Sequence, residues 1–248
     1  MRACCGADGC KGGWVAAIRD PEGRLDARVF AGFDALLDAL PGDAAVAVDM
    51  PIGLPERAGH GGRGPEAAIR EFLRRRRPSV FSVPSRSAVY ARSIDAFLSP
   101  DERKASYREV CHVAALTSEP SRKISQQCFA ILPKIQEVDR VLRAHHALRS
   151  RVIESHPEAA FWQLNNQREM ANPKKSAAGV NERRALLAHR GLPRAFLDRP
   201  VPRRASQDDF LDACAMLLVA ERFSRGEAVP FPDPPLRDGH GIPIAIWT

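Results

Sequence analysis

The sequence lacks the features of a membrane protein and of a disulfide-bonded secreted protein. No apolar run reaches the roughly 18 residues that span a bilayer, so we expect no membrane partner. The N-terminal residues lack the pattern of a signal peptide, and the expected location is therefore cytoplasmic. The six cysteines form no C-x-x-C motif and no Cys/His pair at zinc-site spacing. Reduced, buried thiols are the prediction.

Nucleotide-binding loops, internal repeats and low-complexity segments are also missing. The glycines of residues 6–13, "GADGCKGG", match neither the P-loop pattern nor G-x-G-x-x-G, and we interpret them as turn residues. A chain of 248 residues with 44% hydrophobic and 27% charged residues is long enough and apolar enough for one large globular domain. We predict a single domain over residues 1–248.

Charge is the most unusual property of the composition. The formal net charge of +7 favours an anionic partner, with nucleic acid as the first candidate. The densest basic patch is the run of four arginines at residues 74–77. A solvated helix end, where cations suit the helix dipole, explains this run equally well.

Hydrophobic periodicity predicts the order of the secondary-structure elements. Strands are expected at residues 2–8, 14–18, 25–30, 44–50 and 150–155, with a short further strand at 242–247. Helical patterns cover residues 33–40, 66–77, 101–116, 125–146, 157–164 and 206–226. Residues 172–191 are expected to form a loop followed by a helix that ends at Gly191.

This order predicts an α/β fold of the ribonuclease H-like type. The expected architecture is a mixed five-stranded sheet flanked by helices, with a helical insertion at about residues 55–148 between the fourth and fifth strands. The insertion is far longer than an ordinary connection, so it must be structured itself.

Acidic residues stand where several of these elements begin or end. Asp8 ends the first predicted strand, Asp49 the fourth and Glu154 the fifth, while Asp209 and Asp212 open the last long helix. Ligands of open α/β sheets bind outside the carboxyl ends of parallel strands. If the first and fourth strands are neighbours, two of these acids lie about 4.8 Å apart. Carboxylate oxygens suit Mg²⁺ or Mn²⁺, so we predict a metal site there.

Each acid taken alone also has a structural explanation. Asp209 favours a helix N-terminus, Asp49 is typical of a turn after a strand, and Glu154 would pair with an arginine. His156 is either a capping or buried histidine or a residue that contacts metal, substrate or a transferred proton. Three further basic residues would hold a substrate phosphate or form a solvated face: Lys174, Lys175 and Arg183.

Several motifs resemble the family called domain of unknown function 429, whose members are regarded as predicted ribonuclease H-like nucleases. They include "GADGCKGGWVAAI", "DMPIGLP", "RRRRPSVFSVPSR", "ESHPEAAFWQL" and "DDFLDACAMLLVA", and they extend from Gly6 to about Ala220. The last motif is similar to the D-x-x-D-A helix of Holliday-junction resolvases, with Asp209 and Asp212 at its acids. One departure is Gly64-Pro65, where the family usually carries an acid after the arginine.

The resemblance implies a metal-dependent nuclease that hydrolyses phosphodiester bonds by a two-metal mechanism. The five acids would act as ligands and catalytic residues, and the basic helical insertion would hold the nucleic-acid backbone. One alternative is a nucleotide-dependent phosphotransferase or ATPase of the actin-like group, in which a homodimer would supply the second copy of the fold. Another is a non-catalytic protein that binds metal or nucleic acid.

Overall fold

The computed structural model describes residues 2–92 and 99–248 of the chain. Its strands are β1 (Cys4–Cys10), β2 (Gly13–Arg19), β3 (Leu25–Phe30), β4 (Ala45–Asp49), β5 (Val152–Ser155), β6 (Pro230–Arg237) and β7 (Pro243–Trp247). Its α-helices are α1 (Phe33–Asp38), α2 (Pro65–Arg70), α3 (Arg86–Val89), α4 (Pro100–Leu116), α5 (Gln126–Ala144), α6 (Pro157–Leu164), α7 (Ala177–His189), α8 (Arg194–Leu197) and α9 (Gln207–Ser224). Short 3₁₀ helices occupy Arg77–Ser79 and His146–Ser150.

All the strands belong to one mixed sheet flanked by helices, in the order β3-β2-β1-β4-β5-β7-β6. Strands β1, β4, β5 and β7 run parallel, whereas β2, β3 and β6 run antiparallel to their neighbours. The mixed α/β class is therefore as predicted, but the count of five strands is wrong. The C-terminal segment adds two strands beyond β5.

Strand β6 was missed because its sequence, "PFPDPPLR", reads as a proline-rich loop. Proline cannot donate to a sheet ladder and is tolerated where one side of the strand has no neighbour. Strand β6 meets this condition, since it is the last strand of the sheet and pairs only with β7, with an irregular register between Phe231 and Leu236.

The side chains of β1 alternate between two hydrophobic layers. Cys4 packs in the layer that contains α9, and Cys5 and Ala7 pack in the opposite layer with α1 and α5. Gly6 shares the side of Cys4 and meets α9 directly. By the two-residue period of a strand, Asp8 also points to the α9 side.

Helix α9 lies against β1 at backbone-to-backbone distance. A Cβ atom added at Gly6 would lie 2.0 Å from the amide nitrogen of Leu217 and 2.2 Å from the carbonyl oxygen of Ala213. Only glycine leaves room for this approach. The strands beside it present small alanine side chains to the same layer, including Ala45 and Ala47 of β4. The first turns of α9 are therefore fixed against the carboxyl ends of β1 and β4.

The chain between β4 and β5 contains helices α2 to α5. Helices α4 and α5 match the expected segments 101–116 and 125–146 closely. Helix α2, however, ends at Arg70 rather than at residue 77, because tertiary contacts turn the chain. Arg76 donates to the carbonyls of Met170 and Asn172, and its own amide donates to Glu169. Residues 93–98 of the predicted insertion lie outside the described residues.

Among the described residues, no helix is both long and apolar enough to cross a membrane. The six cysteines are free thiols, five of them buried and Cys10 half-buried.

The close approach of α9 predicts that Gly6→Ala destabilises the protein by at least about 3 kcal/mol, because the methyl group meets backbone atoms that cannot move aside. Urea unfolding followed by far-UV circular dichroism measures this. Gly42→Ala is the matched control, since no atom lies within 4 Å of its added Cβ and its effect should stay within about 1 kcal/mol. Equal stability of the two variants would contradict the packing.

Candidate functional site

The carboxyl ends of β1 and β4 bring two aspartates together. Asp8 pairs in register with Asp49 across these neighbouring parallel strands, as predicted. The predicted end of the first strand is wrong, since β1 continues to Cys10. Asp8 is the last residue of β1 that pairs with β4, and beyond it β1 pairs only with β2. The site therefore lies where the two parallel strands separate.

Helix α9 adds Asp212 to the same side of the sheet. This side chain is buried, and its charge acts on both Asp8 and Asp49. Asp209 has a different task, because its carboxylate accepts a hydrogen bond from the Ser206 amide at 2.8 Å and completes a capping box. The charge of Asp209 contributes to the raised pKa of Asp8, but its carboxylate is engaged in the cap of α9.

Glu154 lies on the other face of the sheet. The register of β5 against β4 pairs Ala47 with Ile153 and Val48 with Glu154. Asp49 is two residues from Ala47 and therefore shares its face, whereas Glu154 shares the face of Val48. The pleat of the sheet thus directs Glu154 and the aspartates to opposite faces, although the charge of Glu154 still raises the pKa of Asp49.

Arg63 neutralises Glu154 on that face. Its two terminal nitrogens donate to the Glu154 carboxylate at 2.6 and 3.0 Å, and the Ile52 amide donates to the same carboxylate at 2.7 Å. Its Nε atom pairs with buried Glu66 at 2.7 Å. Burial raises the pKa of Glu154 to about 7, and Arg63 works in the opposite direction. The sequence predicted an arginine partner as one explanation of Glu154 but did not identify Arg63, since a buried carboxylate needs a partner that local patterns do not specify.

Burial and mutual repulsion raise the pKa values of all three aspartates. Asp8 and Asp212 are buried and Asp49 is half-buried. Burial and the charge of Asp49 raise the pKa of Asp8 well above its usual range. Burial and the charge of Asp212 raise the pKa of Asp49 to about 8. Burial also raises the pKa of Asp212 to about 6, although Lys174 lowers it. Lys174 therefore offsets only part of the burial and repulsion that raise these pKa values.

Lys174 contributes the positive charge that is closest to the aspartates in the described part of the chain. Its Nζ atom lies 2.9 Å from Oδ2 of Asp212 and 3.8 Å from Oδ2 of Asp208. Burial lowers the pKa of Lys174, but Asp212 and its neighbours raise it more, so the net shift is upward. The other oxygen of Asp212, Oδ1, is buried and has no hydrogen-bond partner among the described residues.

The remaining predicted residues have different environments. Lys175 is exposed, whereas Arg183 is buried, pairs with Glu158 at 2.9 Å and lies over the ring of Phe161. Arg183 is therefore not available to a substrate phosphate. His156 approaches the Ser79 carbonyl at 3.3 Å through Nε2, and its buried Nδ1 atom has no partner among the described residues. Burial lowers the pKa of His156 to about 4, which leaves the ring neutral at pH 7.

A cleft of about 300 Å³ opens beside the strand ends. Its polar lining contains five of the nine predicted site residues: Asp8, Asp49, Glu154, His156 and Lys174. Lys134 also lines it, donates to the Gly13 carbonyl at 2.5 Å and lies over the ring of Trp14. Asp209, Asp212, Lys175 and Arg183 are not part of the lining. The cleft thus combines carboxylates with two lysines.

The carboxylates of the aspartate cluster are suitable ligands for a hard divalent cation, although their present arrangement is not that of a complete metal site. Across residues 2–92 and 99–248, no three His, Cys, Asp or Glu side chains have the arrangement of a metal site. Three clustered carboxyls nevertheless face a single lysine, and one buried carboxylate oxygen lacks a partner. Divalent cations offset such repulsion and prefer oxygen ligands. Asp8, Asp49 and Asp212 are the residues that would hold one.

The raised pKa of Asp49 predicts a pH-dependent effect of Asp49→Asn in metal-free protein. Folding raises this pKa from 3.8 to about 8, so its contribution to stability is present at low pH and is lost as pH rises to about 8. The neutral amide avoids that loss. Between pH 5 and 9 the variant should become more stable than the wild type, by at least about 1 kcal/mol in free energy of unfolding, or some 2–4 °C in Tm.

Thermal unfolding in EDTA across this pH range measures the effect. Asp198→Asn, at an exposed position, is the control and should show no pH-dependent difference. A variant at position 49 that is less stable than the wild type at pH 9 would contradict the repulsion.

Comparisons with known proteins identify a family without assigning an activity. The family profile described as "Protein of unknown function (DUF429)" matches residues 6–237, which include β1, β4, the cleft and α9. Comparisons with curated proteins and with solved structures found no match. Because the family profile covers nearly the whole sequence, the chain belongs to the DUF429 family of proteins of unknown function.

Proposed function

We propose that this protein is a ribonuclease H-like, divalent-metal-dependent hydrolase that cleaves phosphodiester bonds of nucleic acid. One observation carries the proposal. Asp8, Asp49 and Asp212 converge at the separating ends of two parallel strands, beside a cleft. Lys174 contacts Asp212, and the other oxygen of Asp212 has no hydrogen-bond partner in the described part of the chain. So much clustered negative charge is costly for a metal-free protein and favours a site that takes up cations.

The element order supports the fold part of the proposal. Three consecutive antiparallel strands, a helix, a parallel strand, a helical segment, a further parallel strand and flanking helices follow one another along the chain. This is the order from which the sequence predicts a ribonuclease H-like domain. In this account the segment between β4 and β5 is the helical insertion, and β6 and β7 extend the sheet.

The residues divide into ligands and positioning residues. Asp8, Asp49 and Asp212 would hold Mg²⁺ or Mn²⁺, and such ions, when bound in pairs, activate a water molecule and stabilise the leaving oxygen. Glu154 is engaged by Arg63, and Asp209 by the cap of α9. We assign these last two acids to positioning the strand end and the helix rather than to direct ligation.

Basic residues in and around the cleft suit a phosphate backbone. Lys134 and Lys174 line it, and Lys175 is exposed next to Lys174. Ser79, Val80 and Phe81 form part of the cleft wall and lie two to four residues after the run of arginines. Two arginines of this run, Arg74 and Arg75, are exposed. The net charge of +7 adds long-range attraction for nucleic acid, so binding should weaken steeply with salt.

The packing of the N-terminal hairpin gives the actin-like alternative less support. In that alternative, the glycine turn after Asp8 would approach nucleotide phosphates. The Gly12 amide instead donates to the Arg204 carbonyl at 3.2 Å, and a Cβ at Gly12 would lie 2.6 Å from Val29. Other parts of the chain therefore pack against this turn.

Cleavage of labelled single- and double-stranded DNA and RNA in Mn²⁺ tests the proposal. Asp49→Asn and Asp212→Asn should each reduce the rate by at least about 100-fold, because each removes a ligand from the cation site. Excess EDTA should abolish cleavage, and Asp198→Asn should leave it unchanged as the control. Undiminished cleavage by the Asp49 and Asp212 variants would contradict the assignment.

A further inference from the structure

Lys174 reaches the aspartate cluster from the edge of the cleft. Its side chain is 40% exposed and lines the cleft, whereas that of its partner Asp212 is 1% exposed and fixed on α9. The ammonium group therefore has a path into the cleft, and the carboxylate has none. Only one oxygen of Asp212 meets the lysine, and the other is the buried atom without a partner.

The segment that carries Lys174 is anchored on both sides. Arg76 binds the carbonyls of Met170 and Asn172 at 3.1 and 2.9 Å, and the carboxylate of Glu182 accepts from the Ala171 and Asn172 amides. After Lys174, helix α7 begins at the Ser176 cap, and a Cβ at Gly179 would lie 1.9 Å from the Pro173 carbonyl. These contacts hold the backbone at Lys174 close to Asp212, so the position of the lysine is determined by the fold.

We propose that Lys174 is an internal counter-ion that holds Asp212 in the metal-free protein and gives it up to a divalent cation when the site fills. The inference rests on the proposed function, since it requires a cation at Asp8, Asp49 and Asp212. An ammonium 2.9 Å from Asp212 and a divalent cation on the same carboxylate repel each other, so the two compete.

The exchange gives Lys174 two successive partners. In the metal-free protein it limits the repulsion among Asp8, Asp49 and Asp212. Once displaced, its ammonium group remains in the cleft, where it is free to contact a phosphate of the substrate. The charge of Lys174 then reaches the phosphate only after the cation has replaced the lysine at Asp212.

Calorimetric titration of Mn²⁺ into the wild type and Lys174→Met at pH 7.5 tests the competition. The Met variant keeps the length of the side chain and removes the charge, so it should bind Mn²⁺ at least about tenfold more tightly, as expected when one charged hydrogen bond no longer has to be broken. Lys174→Arg retains the charge and should show no gain. Lys175→Met, at the exposed neighbouring position, should match the wild type.

Thermal unfolding provides a second measurement on the same proteins. In EDTA, Lys174→Met should unfold at a lower temperature than the wild type, because the aspartates lose their counter-ion. At the same Mn²⁺ concentration its Tm should rise by more than that of the wild type, since tighter binding stabilises the folded state more. The double variant Lys174→Met with Asp212→Asn should lose the gain in affinity.

The outcomes separate the two proposals. Equal or weaker Mn²⁺ binding by Lys174→Met, with binding that still depends on Asp49 and Asp212, overturns the exchange and leaves the metal site standing. Absence of Mn²⁺ binding in the wild type and in Lys174→Met overturns both. Binding by Lys174→Met alone, lost in the double variant, supports both.

Discussion

The contact between the backbones of α9 and β1 at Gly6 is the constraint on which the site depends. Because a Cβ at Gly6 would lie 2.0 Å from the helix backbone, the helix cannot be shifted or rotated without losing the fit. Asp212 lies one residue before Ala213, whose carbonyl makes one of these contacts. The same contact therefore packs the core and places a buried carboxylate beside Asp8 and Asp49.

The pleat of the sheet decides which acids meet. Asp8 and Asp49 are paired residues on one face, whereas Glu154, one residue before the end of the next parallel strand, points to the other face. The buried acids on the two faces are neutralised to different extents. Glu154 has Arg63 in a two-point ion pair, whereas the aspartates share Lys174 and keep raised pKa values. In the proposed function, the fully paired acid serves structure and the under-neutralised cluster binds the cation.

The sequence predicted the order of the strands and helices better than the face of the sheet to which each side chain points. The pairing of Asp8 with Asp49 was predictable because both acids follow short apolar runs whose order in the chain implies adjacent parallel strands. The face of Glu154 was not, since "AVAVD" and "VIES" are apolar on both sides and contain no alternation to set the phase. Arg63 and the buried pairing of Arg183 depend on contacts between distant segments, which local patterns do not encode.

The account makes one central claim, that the aspartate cluster is the binding site of a divalent cation. Diffraction from crystals grown with Mn²⁺, collected at a wavelength where manganese scatters anomalously, tests this most directly. The account predicts an anomalous peak within coordination distance of the carboxylates of Asp8, Asp49 and Asp212, with Lys174 withdrawn from Asp212. Mn²⁺ bound only elsewhere, or no peak while Lys174 still contacts Asp212, would contradict it.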